Sequence, residues 1–127
     1  MYQKKMVKNR MNYMYEKTLK KILKDISIET WQQELSDEMF VLFLKKYVDN
    51  HGNNVYHLLF KNNLPSNSLY DVQQIVQMLH DHGVPALGTN DKNQFADQLA
   101  EKQSILTAKL IREFIQAEYN EELLNNM

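Results

Sequence analysis

The sequence predicts an all-α protein built as a stack of antiparallel helix pairs. Only three glycines and two prolines interrupt its 127 residues, and β-branched residues nowhere alternate with polar ones over the length of a strand. Apolar residues recur instead at three- and four-residue spacing, which is the period of a helix with one buried face. A chain of this length most simply forms one cooperative domain.

The composition is that of an ordinary folded chain, with 43% hydrophobic residues, 24% charged residues and a formal net charge of −1. The sequence contains no cysteine, which excludes disulfides, thiolate metal ligands and cysteine nucleophiles and fits a reducing compartment. No apolar run approaches the roughly 20 residues that span a bilayer. The basic first residues lead into no apolar segment of the kind that a secretory signal contains. We therefore expect a cytoplasmic protein.

The N-terminal part is predicted to form two helices joined by a short turn. The first helix covers residues 11–26. Its apolar stripe comprises Met11, Met14, Tyr15, Thr18, Leu19, Ile22 and Ile26. Thr30 and Gln33 have the spacing of a capping box for the turn that carries Trp31, and Ser36 is the expected N-cap of the second helix. The side chains expected to point inward from that helix are Phe40, Phe43, Leu44, Tyr47 and Val48.

A sharp reversal of the chain is predicted at Gly52, because glycine adopts positive φ at little steric cost. Asn54 is the expected N-cap of the helix that follows. Further helices are expected near residues 54–62, 70–81, 95–103 and 106–123. The buried side of the last helix should consist of Leu106, Leu110, Ile111, Phe114 and Ile115.

The reversal lies in a stretch, DNHGNNVYHLL at residues 49–59, that resembles the opening of an ankyrin repeat, Asp-x-x-Gly-x-Thr-Pro-Leu-His-Leu-Ala. The positions that match this pattern are Asp49, Gly52, His57 and Leu58. The positions that depart from it are Asn54, Val55, Tyr56 and Leu59. Residues 75–83, IVQMLHDHG, are similar to the second helix of such a repeat. A weaker copy begins at residues 90–100, where Asn93 replaces the glycine and tolerates the same left-handed conformation.

The two copies are 41 positions apart, from Gly52 to Asn93, whereas the family repeat is about 33 residues long. An inserted surface loop at residues 64–68, LPSNS, accounts for the difference. The resemblance implies two divergent repeats over residues 49–127, preceded by a helical cap over residues 1–48. The expected architecture is an ankyrin-like α-solenoid.

The resemblance also implies a function, the non-enzymatic binding of a partner protein. In ankyrin-like proteins the loop tips and the inner face of the first helix contact partners. The equivalent positions here are Asn50, His51, Asn53, Lys61, Asn62, Asp91, Lys92, Gln94, Lys102 and Gln103. His57 is expected to be buried and to tie neighbouring loops together by hydrogen bonds. The abundance of Lys, Asn and Ile is typical of AT-rich genomes, and small ankyrin-like proteins occur in viruses and intracellular bacteria, so a host protein is the expected kind of partner.

The charge is unevenly distributed along the chain. Residues 1–24 carry eight basic side chains and one acidic one, whereas the remainder carries seven basic and fifteen acidic residues. A solvated helix face explains this run in most proteins. The alternative is that the segment binds nucleic acid or an anionic membrane, for which clustered lysines serve as phosphate partners.

Sites for metals, cofactors or catalysis have little support in the sequence. His80 and His82 are two residues apart, a spacing that cannot place both on one helical face, and no His-Glu-x-x-His motif accompanies them. Glycine-rich phosphate loops, dinucleotide fingerprints and nucleophile elbows are also absent. We therefore expect neither a metal, a cofactor nor a small-molecule substrate. An enzyme of a type that these motifs do not describe remains the third alternative.

Overall fold

The computed structural model describes residues 2–62, 64–65 and 68–126, with side chains from residue 12 onward. Over these residues it contains seven helices and no strand, so the predicted all-α class is confirmed. The helices are α1 (Tyr2–Lys24), α2 (Ile28–Leu35), α3 (Glu38–Lys46), α4 (Val55–Leu59), α5 (Leu69–Asp81), α6 (Ala96–Glu101) and α7 (Ile105–Asn125). In the same part of the chain, no helix is both long enough and apolar enough to cross a membrane.

The helix starts in the N-terminal part differ from the prediction. Ser27 caps α2 by accepting a hydrogen bond from the N–H of Thr30 at 3.3 Å, so the capping box at Thr30 and Gln33 was wrong. Ser36 was also wrong as a cap, because its own N–H still bonds to the last turn of α2. Asp37 caps α3 instead, and its carboxylate accepts from two N–H groups, at 3.0 and 3.4 Å. A carboxylate at this position also interacts favourably with the helix dipole.

The core runs through both halves of the chain. Trp31 is fully buried, and its indole Nε1–H donates to the carbonyl oxygen of Ile22 at 3.1 Å, which joins α2 to α1. Helix α2 packs in turn against α5. The largest fully buried side chains include Trp31, Tyr56, Phe40, Leu19, Ile75, Leu79, Ile111 and His57. The N-terminal helices therefore share one core with the helices that follow.

Three side chains that were predicted to be buried are exposed. Val48 is 58% exposed because α3 ends at Lys46, so the two following residues leave the buried face of the helix. Leu106 is 70% exposed, since the buried face of α7 begins at the next residue. Met14 is 65% exposed, whereas its neighbour Tyr15 is the residue that packs against the core. The predicted role of Met11 lies outside the described side chains.

The remaining helices begin within one residue of their predicted starts, whereas α4 and α6 end three and two residues early and α7 ends two residues late. Asn54 caps α4 as predicted, accepting from two backbone N–H groups at 2.9 and 3.1 Å. Helix α6 packs closely against α7, while α4 contacts α6 and α5 contacts α7. The nearly buried carboxylate of Asp97 on α6 is paired with Arg112 of α7 at 3.0 Å. Within the predicted insertion at 64–68, residues 66 and 67 lie outside the described residues.

Candidate functional site

Two short turns form the basis of the candidate site: the first turn (residues 49–53) and the second turn (residues 90–94). Each closes with a hydrogen bond from the N–H of its first residue to the carbonyl oxygen of its fifth, at 3.0 Å in the first turn and 3.1 Å in the second. The fourth residue has positive φ in both, at 77° for Gly52 and 58° for Asn93. The reversal predicted at Gly52 is therefore confirmed, and the same turn is built twice.

The first side chain of each turn holds the backbone that follows it. The Asp49 carboxylate accepts from the N–H of His51 at 2.9 Å, and from the N–H and side-chain amide of Asn53 at 2.9 and 3.1 Å. Partial burial raises the pKa of Asp49, but these hydrogen bonds together outweigh it and hold the pKa below its ordinary value. In the second turn, Asn90 Oδ1 accepts from the N–H groups two and four residues later, each at 3.0 Å.

The two turns contact each other directly. The N–H of Asp91 donates to the carbonyl oxygen of His51 at 2.8 Å, and the Asn90 amide donates to Asn53 Oδ1 at 3.0 Å. At the surface, His51 Nδ1 lies 3.1 Å from an Asp91 carboxylate oxygen. A Cβ at Gly52 would lie 3.2 Å from the Asn90 Cα, closer than an ordinary contact, so glycine favours this close approach as well as its positive φ. The pair of turns is thereby fixed as one unit.

His57 links the first turn to the second from below. Its Nδ1 accepts from the N–H of Asn54 at 3.0 Å, and its Nε2–H donates to the carbonyl oxygen of Gln94 at 2.8 Å. The side chain is fully buried, and this burial lowers its pKa, although the bond to Gln94 opposes the shift. The buried, loop-linking position expected of His57 is therefore observed. After the second turn, at the same distance along the chain as His57 from the first, Gln98 Oε1 accepts from the N–H of Phe95 at 2.7 Å, in the position of the imidazole Nδ1.

The connection that leads into the second turn, residues 84–90, is held by buried polar side chains. The Tyr56 hydroxyl donates to the carbonyl oxygen of Val84 at 2.6 Å, and the Asn54 amide donates to that of Ala86 at 3.1 Å. Burial raises the pKa of Tyr56 far above its ordinary value, so its hydroxyl stays protonated as this hydrogen bond requires. The cap of α4 therefore also positions the chain before the second turn.

A carboxylate from α7 completes this support. Glu118 accepts from the N–H of Ala86 at 3.0 Å and from the N–H of Leu87 at 2.9 Å. The sequence offered no local signal for Glu118, because its partners are 31 and 32 positions away.

A shallow groove of about 110 Å³ lies between this connection and the end of α3. Its volume is smaller than the roughly 300–1,000 Å³ usual for small-molecule sites.

The residues predicted to bind a partner divide into an exposed set and a structural set. The exposed set consists of Asn50, His51, Lys61, Asn62, Asp91, Lys92 and Lys102. Asn53 is only 7% exposed and is hydrogen-bonded to both turns. Gln94 is partly buried, and its carbonyl oxygen accepts a hydrogen bond from His57 Nε2–H. Gln103 is also partly buried; its amide donates to the carbonyl oxygens of Phe60 and Asn62, at 3.1 and 3.0 Å.

Within the basic segment, residues 2–24 form α1. The side chains of Lys4, Lys5, Lys8 and Arg10 lie outside the described residues. Lys17, Lys20, Lys21 and Lys24 are all exposed. Lys20 pairs with Glu16 at 3.2 Å, and no other ion pair of these four lysines occurs among the described residues. These four lysines therefore form a cationic surface on α1.

The histidines at the end of α5 have different environments. His80 stacks on Phe114 of α7, with ring centroids 3.7 Å apart and nearly parallel planes, whereas His82 caps the helix and is exposed. Across the described ranges, no group of three or more His, Asp or Glu side chains is placed to hold a metal ion. His80 therefore acts as part of the α5–α7 contact.

Comparisons of the chain with protein-family models, curated proteins and solved structures gave no match. What the chain binds must therefore be inferred from its own geometry. The two turns offer hydrogen-bond donors, acceptors and charges on a rigid frame, while both nitrogens of the buried His57 are already occupied. Such an arrangement is suited to recognition by hydrogen bonding.

Proposed function

We propose that this chain is a non-enzymatic protein–protein interaction module whose binding surface is the exposed side of the two turns and the adjoining helix ends. In this proposal α4–α5 and α6–α7 are divergent ankyrin-like repeats, and residues 1–48 are their helical cap. The binding residues are the exposed ones: Asn50, His51, Lys61, Asn62, Asp91, Lys92 and Lys102. Asn53, Gln94 and Gln103 support them.

The observation that carries the proposal is the direct hydrogen bond between the turns, from the N–H of Asp91 to the carbonyl oxygen of His51 at 2.8 Å. Together with the bonds from Asn90 and His57, it fixes the positions of the exposed tips before any partner arrives. Ordering a loop on binding opposes association, so preformed tips bind more tightly than mobile ones. Mixed polar side chains on such a frame suit the surface of a protein.

The first turn and α4 contact the second turn through the carbonyl oxygen of His51 and the side chain of His57, respectively. The second turn has equivalent groups on its outer edge. The carbonyl oxygen of Lys92 occupies the position that the carbonyl oxygen of His51 has in the first turn, one residue before the positive-φ residue. No described residue donates to the Lys92 oxygen. The exposed Gln98 side chain, which takes the place of His57, likewise makes no donor contact with described residues. A partner's backbone N–H and C=O groups would complement this edge.

The test compares a binding-surface variant with a matched control variant. The binding-surface variant carries Asn50→Ala, His51→Ala, Lys61→Ala and Asn62→Ala. The control replaces two exposed amides, one exposed histidine and one exposed lysine elsewhere: Gln32→Ala, Gln33→Ala, His82→Ala and Lys109→Ala. Both variants and the wild type are used as bait for cross-linking and mass spectrometry in cell lysate, after circular dichroism has shown equal helix content.

We expect one specific protein to be recovered with the wild type and the control and to fall about tenfold or more with the binding-surface variant, since a few residues usually dominate an interface. Purified partner and bait should then give the same order of affinities by calorimetry. Equal affinity of the wild type and the binding-surface variant would contradict the proposed site.

A further inference from the structure

The exposed face of α1 is a stripe of lysines. Lys17, Lys20, Lys21 and Lys24 are all exposed. At 100° per residue, their spacing places them within an arc of about 100°, and at 1.5 Å per residue they extend over about 10 Å. Leu19 and Ile22 lie on the opposite side of the helix and are buried. The four lysines therefore share one side of the helix, and the folded helix cannot turn its apolar face outward without losing the core.

Two large side chains continue the same face toward the N-terminus. Tyr13 and Met14 precede Lys17 by four and three residues, so they lie in line with the lysines. They are 69% and 65% exposed, respectively. Exposed lysines attract anionic headgroups, and the tyrosine and methionine add apolar surface for the headgroup region. Because residues 25–127 carry seven basic and fifteen acidic side chains, an anionic surface would also orient the molecule with α1 toward it.

We propose that the exposed face of α1 binds the anionic surface of a lipid bilayer. The lysines contact the lipid phosphates and carboxylates, while Tyr13 and Met14 enter the headgroup region. The geometry favours a flat surface over a nucleic acid. A basic helix that lies in a duplex groove contacts the nucleic-acid backbone on both sides of the helix. Proteins that bind single strands combine a charged groove with aromatic stacking platforms. The lysines of α1 instead occupy one arc of a convex helix.

The test uses the full chain and sedimentation with vesicles of phosphatidylcholine, with or without phosphatidylserine. The main variant is Lys17→Glu with Lys21→Glu, since neither lysine has an ion pair among the described residues. Its matched control is Lys45→Glu with Lys46→Glu, an exposed pair on α3 with the same change of charge. Deletion of residues 1–24 is unsuitable, because it would remove Leu19 and Ile22 from the core.

Each lysine near an anionic surface contributes about fivefold to binding. The wild type should therefore sediment with the phosphatidylserine vesicles but not with phosphatidylcholine alone, and its binding should weaken as salt screens the charges. The Lys17/Lys21 variant should bind about 25-fold more weakly or worse, while the Lys45/Lys46 variant should stay within about twofold of the wild type. Tyr13→Ala with Met14→Ala should weaken binding severalfold, and high salt should leave that loss unchanged.

Equal sedimentation of the wild type and the Lys17/Lys21 variant would overturn the proposal. So would binding of a single-stranded RNA homopolymer in the absence of any binding to phosphatidylserine vesicles, which would assign the stripe to nucleic acid instead. The variant with alanine at Asn50, His51, Lys61 and Asn62 should sediment like the wild type. Lipid binding and partner binding can therefore fail separately.

Discussion

Replacing His57 with glutamine should remove an acid-sensitive contribution to stability while keeping the hydrogen bond to Asn54. The present bonds require a neutral imidazole, because Nδ1 accepts from the N–H of Asn54 and only Nε2 carries a proton to donate to Gln94. A second proton on Nδ1 would face the N–H of Asn54, donor against donor. Burial also lowers the pKa of His57, since the charged ring would lose its water.

The sign of the pH dependence follows from this lowered pKa. Well above about pH 6.5 the imidazole is neutral in both the folded and the unfolded chain, so stability is independent of this group. As the pH falls below 6.5 or so, the unfolded chain takes up a proton that the folded chain resists, and the free energy of unfolding decreases. The loss cannot exceed about 1.4 kcal/mol per pH unit, and it ends once the pH passes below the folded-state pKa of His57.

The protein itself shows that glutamine fits this role. At the equivalent position Gln98 Oε1 accepts from the N–H of Phe95 at 2.7 Å. We therefore expect His57→Gln to cost about 1 kcal/mol near pH 7.5, which is typical of an imperfectly replaced hydrogen bond. His57→Ala should cost about 3–5 kcal/mol, because it leaves a cavity and an unsatisfied buried N–H at Asn54.

Denaturant titration can measure these effects, with the fluorescence of Trp31, the single and fully buried tryptophan, as the signal. Between about pH 7.5 and about pH 5.5, the wild type should lose up to about 1.4 kcal/mol more stability than His57→Gln. The comparison cancels the other three histidines, which both proteins share. Parallel pH profiles for the two proteins would show that His57 does not titrate as its hydrogen bonds require.

Two further pairs of variants test the support of the turns by the same titration. Gly52→Ala and Gly83→Ala both place alanine at positive φ, which costs about 1–2 kcal/mol. Gly52→Ala should cost about 1–2 kcal/mol more than Gly83→Ala. The added Cβ at Gly52 meets the backbone of Asn90 at 3.2 Å, whereas the one at Gly83 meets only a flexible side chain. Equal losses of stability would refute this reasoning. Glu118→Gln should cost about 1–3 kcal/mol, because it weakens the hydrogen bonds to the backbone of Ala86 and Leu87. The control Glu121→Gln, at an exposed position, should change stability by less than about 0.5 kcal/mol. Similar values for both would mean that the Glu118 bonds contribute little.

Local signals account for the parts of the fold that the sequence predicted correctly. The positive φ at Gly52 and the cap at Asn54 each depend on a few adjacent residues. The errors have nonlocal causes. Ser36 and Asp37 are both good caps, and the choice between them depended on where α2 ends. The helical periodicity of the sequence continues to Val48, but the helix itself ends at Lys46, so Val48 is not on its buried face.

The candidate site divides in the same way. The exposed tips, such as Asn50 and Lys92, follow from the position of the turns in the sequence. The side chains that hold them do not, because their partners are distant: Asn90 meets Asn53 across 37 positions, and Gln103 meets Phe60 across 43. In the sequence, an asparagine or glutamine that supports a loop cannot be distinguished from one that is exposed to water. Only the packing of the helices distinguishes the two.

The contrast between His57 and Gln98 bears on how the outer edge would bind. His57 is covered by the second turn, and its ring donor is satisfied by the carbonyl oxygen of Gln94. Gln98 makes the same inward bond, but its side chain is exposed, so water can satisfy its remaining donors without the cost of a buried unpaired group. A partner that offers a backbone carbonyl there would replace water by a bond like the one at His57. Such an edge is stable when free and needs no rearrangement on binding.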